Sequence, residues 1–519
     1  MFLGLIAAIL LVVLHFAYQR RRNLKTLARS GVPIIPSDNV ILGNLKTFIS
    51  STSVFDYGLL SKKYGRSFGM MLGIFPVIVT NDIDVIHDIC VKHYDHFHAK
   101  MTNPLDPDPI YSTKVHMFNA TGERWKRMRA VTSRAVSANN MKELFEIVKD
   151  STVCFIDFVN EMIYNDNDVA VIDNSHRLFQ NHTSDVLSRC VFGQKTSIHK
   201  KNTYLNLFYS VFGERLRMDF SKNTLSWSFP AVMRLYDRFA SCVALIKERV
   251  TRFKPQNAQF FELLHVLYLS HEAGNQKFDF LQFFKNAEKF DDALPLEKKF
   301  GRVDFSKTAI QHVLLKQEVL AQCRFISIAG FDTTANTLSF LLYLLANNTH
   351  CKTRLEEEIE NCEHLNYHAL SSLKFLHNCI LETLRLYPHA SPLHQRRCME
   401  SIKINDVQFE KGMNVIVDTW SIHRNRQIWG ENASTFCPDR FECLTEKQKK
   451  AFMPFGLGPR QCIGMRFALM EMKTTIFYFL KSFNILTQSS KICISVRDTG
   501  TVWPDEIPIA LKKKLKNDV

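Results

Sequence analysis

Residues 2 to 18, FLGLIAAILLVVLHFAY, are apolar apart from His15, and the triplet RRR at 20 to 22 closes the run. About 17 residues is the lower limit for crossing a hydrocarbon core, so the stretch predicts a membrane-spanning helix. The basic cluster lies on its C-terminal side, which by the positive-inside rule leaves the rest of the chain cytosolic. No basic region precedes the run and no small-x-small site follows it, as a cleaved signal would require. Next comes GVPIIPSDNVILGN (31–44), whose two prolines predict a stiff hinge rather than more helix. Beyond it, apolar positions recur with helical period over 123–135, 141–163, 203–216, 230–252, 310–345, 352–362, 370–386 and 463–482. Two stretches, 68–82 and 402–420, are instead rich in β-branched and aromatic residues and predict hairpins. Residues 285–309 are charged, contain Pro295 and Gly301, and read as an exposed connection. The pattern divides the chain into an anchor (1–22), a hinge (23–45) and one mainly α-helical body with a small β-rich portion (46–519).

Composition changes this picture little, except that 41 phenylalanines supply much apolar surface for core or pocket. Charge adds more. With 66 Lys and Arg against 51 Asp and Glu, the net charge of +15 suits a nucleic acid, an anionic membrane or an acidic protein. No Lys/Arg run alternates with aromatics and no zinc-finger spacing appears, which excludes the first. Thirteen cysteines, without C-x-x-C pairs, form neither a disulfide framework nor a four-cysteine zinc site. They suit a reducing compartment. Sequons at Asn119, Asn181, Asn347 and Asn432 would indicate a lumenal body only if glycosylated.

The candidate chemistry begins at PFGLGPRQCIGMRFA (454–468). Cys462 could be a structural thiol, a nucleophile or a metal ligand. Arg460 two residues before it and a helix starting just after it both favour thiolate over thiol. Gly456, Gly458 and Gly464 permit left-handed or tight backbone and the close approach of a flat partner. No His–Asp pair is placed to serve a nucleophile. A second segment, AGFDTT (329–334), sits in the longest helical stretch, where a threonine hydroxyl bonding back four residues predicts a local bulge that presents Asp332 and Thr333 to a ligand. A third, ETLR (382–385), places an acid and an arginine on one helix face, with FCPDRF (436–441) downstream.

Phe455, Gly458, Arg460, Cys462 and Gly464 fill F-x-x-G-x-R-x-C-x-G completely, and in this the chain resembles the cytochrome P450 family. CIGMRFALMEMK and WKRMR look most like its microsomal animal members that oxidise drugs and steroids; the proline–glycine cluster usual at the hinge is reduced here to GVPIIP. The resemblance implies the P450 fold, haem b (iron protoporphyrin IX) as cofactor, and Cys462 as the axial thiolate with Phe455, Arg460 and Gly464 around it. It makes Ala329, Asp332 and Thr333 the oxygen-activating segment, with Asp332 and Thr333 delivering protons. Glu382, Arg385 and Arg440 become a buried network bracing the cysteine loop. Trp125, Arg129 and Arg396 should meet the haem propionates, with Arg397 close enough to compete for that role.

The activity so implied is insertion of one oxygen atom of O2 into a lipophilic substrate: a steroid, fatty acid or xenobiotic. Electrons would come from NADPH through NADPH–cytochrome P450 reductase, with cytochrome b5 as a second donor, because no flavin or dinucleotide segment is visible in this chain. The place would be the endoplasmic reticulum membrane, single-pass, with the catalytic body cytosolic. Lys126, Arg127 and Lys473 would form a basic face for the reductase. Phe331, residues 391–394, 105–118 and 205–229 would wall the pocket. Two other readings remain: a haem-thiolate isomerase or dehydratase of lipid peroxides, needing no reductase, and a non-enzymatic haem sensor.

Overall fold

The apolar N-terminal run and the basic residues after it form one helix, Phe2–Ala28, in a computed structural model of the chain. The structure describes all residues except 1, 51, 165–168, 214–221, 252–255, 272–277, 289–297, 300–301, 304–312, 487–493, 498–500, 505 and 515–519. The helix passes the expected boundary at residue 22 because its second half is packed. Leu27 is buried, Arg20 Nη1 donates to Gly73 O at 2.9 Å and Asn23 Nδ2 to Ile74 O at 2.7 Å. Its first half is different: Leu3, Ile9, Leu10, Leu11, Val13 and Leu14 are all more than half exposed. Among the described residues no helix is long and apolar enough to cross a membrane. Pro33 and Pro36 fall in the non-helical segment between Ala28 and the short helix Leu45–Ile49, where the hinge was expected.

The first hairpin forms as predicted, Ser67–Leu72 against Phe75–Thr80. The second does so only in part. Ile402–Ile404 pairs with Val407–Phe409, but Asn414–Val417 leaves to lie parallel to Phe75–Thr80 and antiparallel to Gln395–Arg397, completing a four-stranded sheet. That sheet fixes Arg396 opposite Val415 at the edge of the central cavity. Of the expected connection 285–309 most lies outside the described residues; Lys298–Lys299 and Arg302–Val303 pair as a two-residue ladder.

The helical body is built on Lys316–Ala346, buried along most of its length. Against it lies Ser175–Phe192, a helix that the hydrophobic pattern does not reveal. Nearly every residue of it is buried, polar ones included, so no polar face alternates with an apolar one. The expected bulge near residue 330 is absent: Lys316–Ala346 is continuous. Gly330 serves instead to let the two helices approach, since a Cβ there would stand 2.9 Å from Leu187 Cδ2.

Met465–Ser482 runs through the same core and carries Glu471, fully buried with neither carboxylate oxygen hydrogen-bonded to a described residue. Burial pushes this carboxyl well above the carboxylate range. The folded chain therefore keeps a proton that the unfolded chain releases, and the stabilisation is complete at acid pH and lost as pH rises. Glu471→Gln is expected to remove this slope. Urea midpoints of wild type and variant, measured from acid to neutral pH, should diverge as pH rises, with the variant the more stable; parallel curves would contradict the assignment.

Candidate active site

The cysteine loop is shaped by two glycines. Gly456 and Gly458 have φ of +74° and +68°. At Gly458 a Cβ would also lie 2.0 Å from the carbonyl oxygen of Cys90, so no other residue fits. Gly464, with φ −84° and ψ 7°, takes the tight rather than the left-handed of the two expected conformations and precedes Met465–Ser482. Cys462 N donates to Phe455 O at 2.9 Å, closing the loop, and the sulfur accepts from the amides of Gly464 and Met465 at the start of that helix. The sulfur opens onto the cavity interior while protein encloses it on the other sides. Burial raises its pKa above that of an ordinary thiol, against the opposing pull of the Gly464 amide, Arg129, the Met465 amide and Lys100. A thiol held protonated is a poor nucleophile.

Arg460 does not point at the sulfur. Its guanidinium donates to the carbonyls of His98 (2.8 Å), Met117 (3.1 Å), Phe118 (3.2 Å) and Ala120 (2.5 Å) and lies 4.4 Å above the Trp125 ring, tying the 98–120 segment to the loop. The cavity of about 290 Å³ above Cys462 is lined by Trp125, Phe455 and four cations, Lys100, Arg129, Arg396 and Arg460, and among the described residues by no Asp or Glu. Arg129 Nη1 donates to Gln461 O at 2.7 Å. Arg396 gives Nη1 to Gln395 O and Nη2 to Leu457 O, but its buried Nε has no partner among the described residues. Lys100 donates to Leu393 O at 3.0 Å, and burial beside Arg396 and Arg460 pushes its ammonium well down. Buried cations without counter-charges are costly unless a ligand supplies them. A flat ligand with two carboxylates meets that need, and a thiol beneath it meets the need of a metal at its centre, so the residues fit haem b. Arg396, not Arg397, is the cavity arginine; Arg397 lies in the strand facing elsewhere and is absent from the lining. Lys100 stands in FHAKM, where no motif marks it, and only the fold brings it here.

Across the cavity, Lys316–Ala346 presents Ala329, Gly330, Thr333, Thr334 and Thr337. Thr333 Oγ1 donates to Ala329 O at 2.8 Å. Asp332 is turned away, and the expectation that both groups face a ligand is corrected to Thr333 alone. Asp332 Oδ1 accepts from His176 Nε2 and Gln180 Nε2, both at 3.0 Å; Oδ2 accepts from Asn336 Nδ2 at 2.8 Å and Thr501 Oγ1 at 2.9 Å. One residue per 100° of helix turn separates the two fates. Phe331 is likewise no pocket wall: it is buried against Phe208 and Tyr209. No described residue of 205–229 lines the cavity, whereas Met117, Phe118, Ser391, Leu393 and His394 do, as expected. His389 joins them. Thr337 Oγ1 donates to Thr333 O, so the 2.9 Å contact between Thr337 Oγ1 and His389 Nε2 has the imidazole as donor.

Below the loop the predicted brace is present. Arg385 forks onto Glu382 at 2.7 and 2.8 Å, and Arg440 Nε reaches Glu382 Oε1 at 3.4 Å. Arg385 also donates to the carbonyls of His423 and Ala433, and Arg440 to that of Trp429. The expected basic face is not: Arg127 is fully buried on Glu318, which Arg124 also contacts, and Lys473 is buried on the carbonyls of Leu370 and Leu373. Lys126 alone of the three is at the surface, paired with Glu123.

Two comparisons bear on this arrangement. The family model described as Cytochrome P450 matches residues 33–508. Two Caenorhabditis elegans proteins named as cytochromes P450, CYP13A2 and CYP13A8, are 30% and 31% identical over 99% and 96% of this chain, in each case covering 97% of the relative.

Proposed function

Because the chain belongs to the cytochrome P450 family, and so is a haem-binding monooxygenase, we propose that it oxidises a lipophilic small molecule at a membrane surface with electrons from a separate NADPH-dependent reductase. Bound through Cys462, haem supplies reductive activation of dioxygen and transfer of one oxygen atom to substrate. The carrying observation is the convergence of the Cys462 sulfur, two helix-end amides and acid-free cations on one cavity.

In this reading the chain's own residues do four things. Gly464 and Met465 N–H groups hold the sulfur's charge at a helix N-terminus. Lys100, Arg129 and Arg396 clamp carboxylates and set the plane of the group they bear. Phe118, Leu187, Phe325, Ile326 and Leu393 make apolar walls that take a sterol-like, fatty or foreign molecule and exclude water. Thr333 and Asp332 supply protons, Thr333 from the cavity wall and Asp332 from the far side of the same turn.

The membrane proposal rests on the exposed apolar first half of Phe2–Ala28. Seventeen residues at 1.5 Å each reach about 26 Å, close to the hydrocarbon thickness of about 30 Å. Pro230–Thr251 adds exposed Leu235, Tyr236, Phe239 and Ile246, and the ring of Phe229 just before it lies tilted 5.0 Å from that of Phe16. Arg20, Arg21 and Arg22 favour a cytosolic body at the endoplasmic reticulum. The reductase would meet exposed Lys92 and Arg466 and half-buried Lys126 beside the cysteine loop, with cytochrome b5 as a second electron donor.

Reconstitution with NADPH, a microsomal reductase and a panel of lipophiles tests the proposal. It expects product carrying one oxygen from O2, at a rate that falls as salt rises. NADPH-independent turnover of lipid peroxides would favour the isomerase reading, and binding without any turnover the sensor.

A further inference from the structure

Asp332 is fully buried, yet three of the four groups that bond its carboxylate are neutral amides or a hydroxyl: Gln180, Asn336 and Thr501. These can hold the carboxylate in place but cannot change its charge. Only His176 among its partners has a second ring nitrogen through which a proton can enter as another leaves. The His176 side chain is 3% exposed, its Nε2 stands 3.0 Å from Asp332 Oδ1, and Nδ1 bonds to no other described residue. Its ring lies 5.1 Å from Trp503 on the 501–504 strand. The remaining ionisable groups nearby are His389, which burial holds neutral down to about 4, and Tyr209, whose hydroxyl donates to Gln180 Oε1. Neither bonds Asp332, and among the described residues neither does any Lys or Arg.

We propose that His176 loads Asp332 with protons, a role that rests on the reading that Asp332 and Thr333 feed protons to the reaction. A hydronium ion breaks one O–H bond and leaves as water as its proton forms an N–H bond at Nδ1, while the Nε2–H bond breaks and an O–H bond forms at Oδ1. The imidazole ends neutral in its other tautomer and Asp332 ends as a neutral acid. A neutral acid needs fewer donors than a carboxylate, so it is freer to turn about its side-chain bonds toward the cavity side where Thr333 stands. After delivery the carboxylate returns to its four donors, and proton exchange with water resets the ring. His176 thus acts through Asp332, as a positioning and loading residue.

The test uses full-length holoenzyme with His176→Gln, which keeps a neutral donor near Oδ1 but cannot relay, together with Asp332→Asn and the double variant. His176→Gln should keep haem content, substrate affinity and melting temperature. Its turnover should fall about tenfold or more, with a larger solvent deuterium isotope effect. The double variant should be no slower than Asp332→Asn alone, because the two act in one path. An infrared readout is independent of turnover: the C=O band of protonated Asp332, identified by its loss in Asp332→Asn, should change its midpoint pH in His176→Gln. If Asp332→Asn slows turnover while His176→Gln alters neither isotope effect nor infrared midpoint, the loading role is overturned and the role of Asp332 stands. If Asp332→Asn changes nothing, the reading of Asp332 itself fails. Should His176→Gln lose haem, the infrared midpoint of its folded apoprotein decides: a shift supports the role and an unchanged midpoint overturns it.

Discussion

Glu382→Gln should destabilise the protein by about 3–5 kcal/mol and release haem, even though it replaces one side chain by another of nearly the same shape. Glu382 and Arg385 are both fully buried, and among the described residues the carboxylate is the only acid that Arg385 touches; its other bonds go to backbone carbonyls. Glu382 also accepts the Cys437 amide at 3.0 Å and the Arg440 guanidinium, so one side chain joins the Lys374–Leu386 helix to the segment 429–443. Removing its charge leaves a buried guanidinium opposite a neutral amide, and this loss dominates any gain from easier desolvation. Urea unfolding of the purified variant, with haem content measured alongside, checks it. An unchanged midpoint with full haem occupancy would show that the network is dispensable.

The same network shows how much the chain discloses before folding. ETLR and the downstream arginine could be named from sequence because their residue types and order are specific, and the structure brings them within bonding distance. The cysteine loop was legible for a similar reason: a glycine at 458 is demanded by both positive φ and the Cys90 carbonyl, so the constraint is written in the residue itself. Trp125, Arg129 and Arg396 also reached the cavity as expected. Other features left no such mark. Ser175–Phe192 is a helix buried on nearly all sides, and its polar residues, His176 and Gln180 among them, are satisfied by partners distant in sequence. Periodicity detects a boundary between core and water, and this helix has almost none. Lys100 and the burial of Arg127 and Lys473 depend on tertiary placement, since a cation reads as surface until the fold encloses it. Asp332 and Thr333 read alike as cavity groups in the sequence, yet which of them faces the cavity depends on helix phase, fixed only when Gly330 docks on Leu187.

Cys462→Ser carries the other large effect. A serine hydroxyl at the start of Met465–Ser482 would accept the same two amides, so the loop should keep its shape. It would not become an anionic ligand beside Arg129 and Lys100, and a thiolate's electron donation to iron would be lost. Oxygenation should therefore fall to background while the protein stays folded. The most direct measurement is the absorbance of the reduced, carbon monoxide-bound protein. The account predicts a thiolate-type Soret band in wild type that disappears in Cys462→Ser at unchanged melting temperature. A wild-type protein without that band, or a serine variant that keeps it, would contradict the assignment of Cys462.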